Sequence, residues 1–203
     1  MKKIHVIGIT GTAGAGKSDS AKFLKILYGA EHFSVRKFLE EEGAKNKISL
    51  EGRGGLHKIG NLLREKHSPG YIVRAFVERM IGNKKEGCFV IESLRCPGEI
   101  EYLLKKFGTN FTLIGVDAPV IIRHGRSRVR GTMTDDVDFD EFVRLESLET
   151  LGTNPWVQNL SVCMDMVAPQ FRIRNQWTTR HLINRNREIA GEIGLERIKK
   201  RRS

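Results

Sequence analysis

The chain has 203 residues, of which 39% are hydrophobic and 29% charged, the balance of an ordinary globular fold. No apolar run approaches the roughly 20 residues that a membrane-spanning helix needs, so no membrane span is expected. Cys88, Cys96 and Cys163 are odd in number and lack Cys-x-x-Cys spacing, which excludes a disulfide framework or a zinc cluster as the organising device. A formal net charge of +11 points to a polyanionic partner, either a nucleic acid or an anion concentrated in one cleft.

In chain order, Lys2-Lys3 lead directly into a first strand, Ile4-His5-Val6-Ile7-Gly8-Ile9. With no leader in view, a cytoplasmic location is expected. The next stretch is Gly11-Thr12-Ala13-Gly14-Ala15-Gly16-Lys17-Ser18, which fits Gly-x-x-x-x-Gly-Lys-Ser/Thr. Behind it, Ala21, Phe23, Leu24, Leu27 and Tyr28 recur at helical spacing. Strand, glycine-rich turn and helix together describe a phosphate-binding loop. The backbone N–H groups of residues 11–16 converge on phosphates, and the positive end of the helix points at the same place. Lys17 is placed to reach the β- and γ-phosphates of a nucleoside triphosphate, and Ser18 to hold Mg²⁺.

His32-Phe33-Ser34 suggests a short second strand, and the region from Val35 to Gly82 is mostly helical. Apolar stripes at Leu56, Ile59, Leu62 and Leu63, and at Ile72, Val73, Phe76, Val77 and Met80, are set off by breaks at residues 52–55 and 68–70. Cys88-Phe89-Val90-Ile91 reads as a strand buried on both faces. Pro97 opens a helix with Ile100, Leu103, Leu104 and Phe107 at i, i+3, i+4 and i+7, and residues 111–116 form the next buried strand. A polar, arginine-dense stretch covers residues 123–136. A helix follows from Asp138 with Phe139, Phe142 and Val143 inward, and another spans residues 156–166. Phe171-Arg172-Ile173 is a last strand, and Thr178 caps a terminal helix carrying Leu182, Ile183, Ile189 and Ile193. Alternating strands and helices imply an α/β fold, a parallel sheet with helices on both faces and ligands at the carboxyl ends of its strands.

Three groups carry candidate chemistry. Glu92-Ser93-Leu94-Arg95 follows a buried strand, so Glu92 and Arg95 emerge at the carboxyl edge of the sheet. Glu92 can order the metal shell or accept a proton, or simply cap a helix; Arg95 can grip a phosphate. Arg123, Arg126, Arg128 and Arg130 lead into Gly131-Thr132-Met133-Thr134-Asp135-Asp136. Arg123, Arg126 and Arg130 share one helical face, either as a closing lid that stabilises a transferring phosphoryl group or as a solvated basic helix. At the expected acceptor site, Ser34, Arg36, Lys37, Arg64 and Arg74 supply cations without an obvious buried carboxylate beside them. A phosphate acceptor is already a competent nucleophile and wants cations, whereas a hydroxyl acceptor wants a base. The balance favours a phosphate, with Glu92, Glu40 and Glu41 as candidate bases for a hydroxyl. The basic tail, residues 197–203, keeps a nucleic-acid partner open.

With these residues in view, the chain resembles the nucleoside-monophosphate-kinase branch of P-loop kinases, and more closely the dephospho-CoA-kinase-like or nucleotide-kinase-like group. The likeness runs to about residue 190. It rests on residues 11–18, Phe33-Ser34-Val35-Arg36, Leu63-Arg64-Glu65-Lys66-His67, Ile91-Glu92-Ser93-Leu94-Arg95 with Pro97-Gly98-Glu99, and Val116-Asp117-Ala118-Pro119. Arg130-Gly131 with Asp135, Gln158-Asn159-Leu160, and Asn175 with Thr178 complete it. The resemblance implies a three-layer P-loop kinase domain over residues 1–203, with a helical acceptor-binding region near 34–80 and an arginine-rich lid near 119–135. It implies ATP and Mg²⁺, catalytic roles for Lys17, Glu92, Arg126 and Arg130, and base contacts from Arg123 and Asn175. The acceptor it implies is a nucleoside or deoxynucleoside monophosphate held by Ser34, Arg36, Arg64 and Arg95. Dephospho-CoA, a nucleic-acid substrate and a regulatory NTPase remain as alternatives. This chain departs from the group's pattern at Lys37, where an acidic residue is usual, and at Trp177, where glycine is usual. Neither the base of the acceptor nor an oligomeric state is readable from the sequence.

Overall fold

The computed structural model describes residues 3–48, 52–131 and 137–198. Its centre is a five-stranded parallel sheet in the order β2-β3-β1-β4-β5. The strands are β1 (Ile4–Gly11), β2 (Glu31–Ser34), β3 (Gly87–Leu94), β4 (Phe111–Asp117) and β5 (Arg172–Arg174). The helices are α1 (Lys17–Tyr28), α2 (Val35–Lys45), α3 (Gly52–Lys66), α4 (Tyr71–Phe76), α5 (Pro97–Phe107), α6 (Val120–Arg130), α7 (Phe139–Thr150), α8 (Leu160–Asp165) and α9 (Thr179–Glu192). A π-helical turn, Val77–Ile81, continues α4.

Strand alternation sorts the core into two apolar layers. Val6, Phe89, Ile91, Phe111 and Leu113 face one side and pack with α2, α3, α4, α5 and α8. Ile7, Ile9, Val90, Ile114 and Val116 face the other and pack against Ala21, Leu24, Leu182 and Ile189 of α1 and α9. Burial on both faces explains why these strands are nearly continuous apolar runs. The chain leaves β1 towards β2 on one side, and β3 crosses to β4 on the other. That reversal beside β1 opens the crevice where the phosphate loop lies.

Several local expectations are corrected. Residues 52–55 are not a break: α3 begins at Gly52. Among the three residues expected inward on α7, only Phe142 is buried, while Phe139 and Val143 are exposed. The helix expected over residues 156–166 is confined to α8. Glu92 lies inside β3 rather than after it, because the strand runs on to Leu94. It does so across an irregularity: Ile9 pairs with Glu92 but Thr10 pairs with Leu94, and Ser93 takes a φ of 68°. A bulge of this kind re-aims the neighbouring side chains at a strand end.

The three cysteines are free thiols, as their spacing implied. No helix among the described residues is long and apolar enough to cross a membrane.

Candidate active site

The turn between β1 and α1 is built on glycines that nothing else can replace. At Gly11, φ is 137° and a Cβ would lie 1.9 Å from the Val116 carbonyl oxygen. Gly16 caps α1 at φ 105°, where a Cβ would lie 2.5 Å from Asn175 Nδ2. Both positive φ values and both close approaches demand glycine. Lys17 is the first residue of α1, and its Nζ donates to the Gly11 and Thr12 carbonyls at 2.9 and 2.7 Å. Its positive charge is thereby held over the turn, at the positive end of the helix. Thr12 donates its hydroxyl to Asp117 at the end of β4, and Asn175 Nδ2 donates to the Ala15 carbonyl at 2.7 Å. The loop is thus tied to the ends of β4 and β5.

A cleft of about 550 Å³ runs from this loop. Ala13, Gly14, Gly16, Lys17 and Ser18 line one end, joined by Glu92 and Ser93. Arg36, Leu39, Leu56, His57, Arg64, Arg95, Glu149 and Gln158 line the other, and Ser34 stands between, paired with Glu92 in the sheet. Arg126, Val129 and Arg130 of α6 also border it.

Glu92 is the carboxylate of the loop end. Its Oε1 lies 3.2 Å from His32 Nε2. Burial alone would raise its pKa, but His32, Ser18 and the charge of Lys17 outweigh burial and hold the carboxyl below its ordinary value of 4.5. Glu92 is therefore an anion at neutral pH. Its Oε2 is buried without a hydrogen-bond partner among the described residues. A buried carboxylate oxygen with no donor, beside the hydroxyl of Ser18, suits a hard divalent cation. These two residues fit Mg²⁺ bound with the phosphates of a nucleotide.

The expected acceptor cations lie at the far end, but not as the sequence suggested. Arg64 is 1% exposed, and its Nε and Nη2 donate to Glu99 Oε1 at 2.9 and 2.8 Å. Arg95 pairs with Glu149, also buried, and donates from Nη1 to Gln158 Oε1 at 3.4 Å. The expectation that these cations lack buried carboxylate neighbours is therefore corrected: Glu99 and Glu149 are those neighbours. Ser34 lines the cleft and caps α2, accepting from the Lys37 N–H at 3.4 Å. Arg36 lines the cleft beside it. Arg74 lies instead over the Tyr102 ring, outside the cleft.

The arginines of α6 divide. Arg123 is 5% exposed and donates to the carbonyls of Ala118 and Ala13 at 2.6 and 3.3 Å. It also pairs with Glu146 of α7 through two nitrogens. It braces the phosphate loop from behind and does not line the cleft. Arg126 does line it, and donates to the Asn175 carbonyl at 2.9 Å. Arg128 is exposed away from it. Beyond Gly131, the expected lid residues 132–136 lie outside the described residues, as do Lys199, Lys200, Arg201 and Arg202 of the basic tail.

Three polar residues of the far end were missed as site residues. His57 had no metal-ligand spacing to single it out, and Glu149 sits in an unremarkable acidic helix. Gln158 entered only through the family likeness. The one available signal was the apolar stripe of α3, which places His57 beside Leu56 at the cleft wall.

No protein-family model matches the chain. It is 28% identical over 148 residues to a UPF0200 protein of the archaeon Saccharolobus islandicus, covering 72% of this chain and 75% of that one. Among solved structures, it is similar to the shikimate kinase of Acinetobacter baumannii in complex with shikimate, with a TM-score of 0.58 and 16% identity over 96% of this chain and 97% of that one. It is also similar to a gluconokinase of Sinorhizobium meliloti, with a TM-score of 0.54 and 11% identity over 93% and 95%. The chain has the three-layer α/β fold of the P-loop kinases.

Proposed function

We propose that the protein is a phosphotransferase that moves the γ-phosphoryl group of ATP to a small phosphorylated acceptor, a nucleoside or deoxynucleoside monophosphate. One observation carries this reading: a single cleft joins the phosphate loop to a second, cation-lined end. The fold shared with other P-loop kinases supports it.

The loop amides and Lys17 hold the donor phosphates. Ser18 and Glu92 would hold Mg²⁺, which would supply positive charge against the donor phosphates. Arg126 and Arg130 bring positive charge to the border where phosphoryl charge spreads in transfer. At the far end, Arg36 and Arg95 receive the acceptor, with Ser34 on the side of Glu92. A phosphate acceptor needs no base. A carboxylate held below its ordinary pKa is a poor proton acceptor, so Glu92 is better suited to the metal than to proton abstraction.

The second reading is a hydroxyl acceptor. Glu99 and Glu149 neutralise two of the expected phosphate ligands, Arg64 and Arg95, and Glu92 Oε2 lies within the cleft region without a partner among the described residues. Shikimate and gluconate, the compounds in the names of the structural neighbours, carry hydroxyls, and dephospho-CoA offers a sugar hydroxyl.

Lys17→Ala tests the shared step. It should abolish ADP formation with the fold retained; undiminished turnover would overturn the phosphotransfer reading.

A further inference from the structure

The carboxylate of Glu92 is reached from the edge strand of the sheet. In β2, Phe33 points into the layer of Phe89 and Ile91, its ring centroid 5.7 Å from that of Phe38 and 5.6 Å from that of Phe76. Strand alternation then puts His32 and Ser34 on the opposite face, the side of α1. In β3, Val90 belongs to the α1 layer, so Glu92, two residues on, shares that face. His32 stands opposite Val90, and Ser34 opposite Glu92. The His32 ring therefore reaches forward by one pair, and its Nε2 lies 3.2 Å from Glu92 Oε1.

A carboxylate oxygen only accepts, so Nε2 carries a proton. The contact lies off the ideal hydrogen-bond line, yet no other hydrogen-bond partner of Nε2 stands among the described residues. The His32 side chain is 22% exposed and that of Glu92 9%, so solvent screens the attraction little. Glu92 borders the cleft with Lys17 and Ser18, whereas His32 does not. The ring thus acts on the loop end through Glu92. A carboxylate without a partner turns about its last bond. A donor held against one oxygen fixes the plane of the group, and with it the direction from which a cation is met. The donor is itself fixed, because Phe33 anchors β2 in the core.

We propose that His32 is a positioning residue, whose Nε2–H holds Glu92 Oε1 and so orients the carboxylate for the Mg²⁺ that accompanies the nucleotide. This assignment deepens the phosphotransferase reading and rests on it for the metal; the contact between the two side chains does not.

The test is calorimetric titration of ADP into the full-length protein across a series of Mg²⁺ concentrations, with His32→Ala, His32→Gln and His32→Asn compared. Glutamine places its amide nitrogen near the position of Nε2, whereas asparagine reaches only that of Nδ1. His32→Ala should raise the Mg²⁺ concentration that half-saturates the tightening of ADP about ten- to a hundred-fold, and leave metal-free ADP affinity unchanged. His32→Gln should restore the wild-type requirement and His32→Asn should not. In a Glu92→Ala background, removing His32 should change nothing further, because the two residues act as one unit. An unchanged Mg²⁺ requirement in His32→Ala, equal rescue by asparagine, or a full additional loss in the Glu92→Ala background would overturn the inference while phosphotransfer stands. If His32→Ala does not fold, the contrast between His32→Gln and His32→Asn decides. If wild-type ADP binding ignores Mg²⁺, the metal assignment of Glu92 falls and the role of His32 with it. ADP formation measured against Lys17→Ala then shows separately whether phosphotransfer stands.

Discussion

Arg64 and Glu99 form an ion pair sealed in the core, with both side chains 1% exposed. Glu99 Oε2 also accepts the backbone N–H groups of Arg95 and Cys96, at 3.0 and 3.1 Å. One carboxylate thus fixes α3, the start of α5 and the end of the segment that follows β3. Arg64→Ala leaves Glu99 buried and unpaired, which should cost about 3–5 kcal/mol of stability. Urea unfolding measures this. A loss confined to acceptor affinity, with stability unchanged, would make Arg64 a ligand and not an anchor.

The two inner arginines of α6 should separate in the same way. Arg123 ties α6 to Ala13 of the loop and to Glu146 of α7, so Arg123→Ala should lower stability by about 2 kcal/mol or more and weaken ATP binding indirectly. Arg126 borders the cleft, and Arg126→Ala should lower kcat by about a hundred-fold with little change in the unfolding midpoint. Paired unfolding and rate measurements on both variants check the contrast.

Glu92 offers a charge test without a change of shape. Glu92→Gln should raise the Mg²⁺ concentration needed for half-maximal rate and lower turnover about a hundred-fold. Since the folded carboxyl titrates below 4.5, its charge is present at neutral pH and is lost only as pH falls through that lower value. The wild-type rate should therefore show no Glu92-dependent fall near neutral pH. A fall there that disappears in Glu92→Gln would assign it as a base.

Much of this architecture was legible in the sequence. The strand before Gly11, the glycines of the turn and the helix after Lys17 obey local rules, and local rules survive folding. The apolar runs at residues 88–91 and 111–116 announced strands buried on both faces. Charge pairing was not legible. Arg64 and Glu99 are 35 residues apart, and Arg95 and Glu149 are joined only when α7 packs against α3 and α8. Helical periodicity placed Arg123, Arg126 and Arg130 on one face, but it cannot say that α7 covers the first of them. The glycines at residues 52–55 signalled a break, yet α3 runs through them; low helix propensity was overridden by the packing of the rest of the helix. His57 carried no pattern, since it joins the cleft wall only once α3 has packed.

The most direct measurement is ADP formation from Mg-ATP across a panel of acceptors, with product masses recorded and Lys17→Ala as control. The panel holds the ribo- and deoxyribonucleoside monophosphates, dephospho-CoA, shikimate, gluconate and short DNA and RNA. Strong turnover with a nucleoside or deoxynucleoside monophosphate, a diphosphate product, and silence in Lys17→Ala are expected. Turnover with only dephospho-CoA, a hydroxy acid or an oligonucleotide, or ATP binding without any transfer, would contradict it.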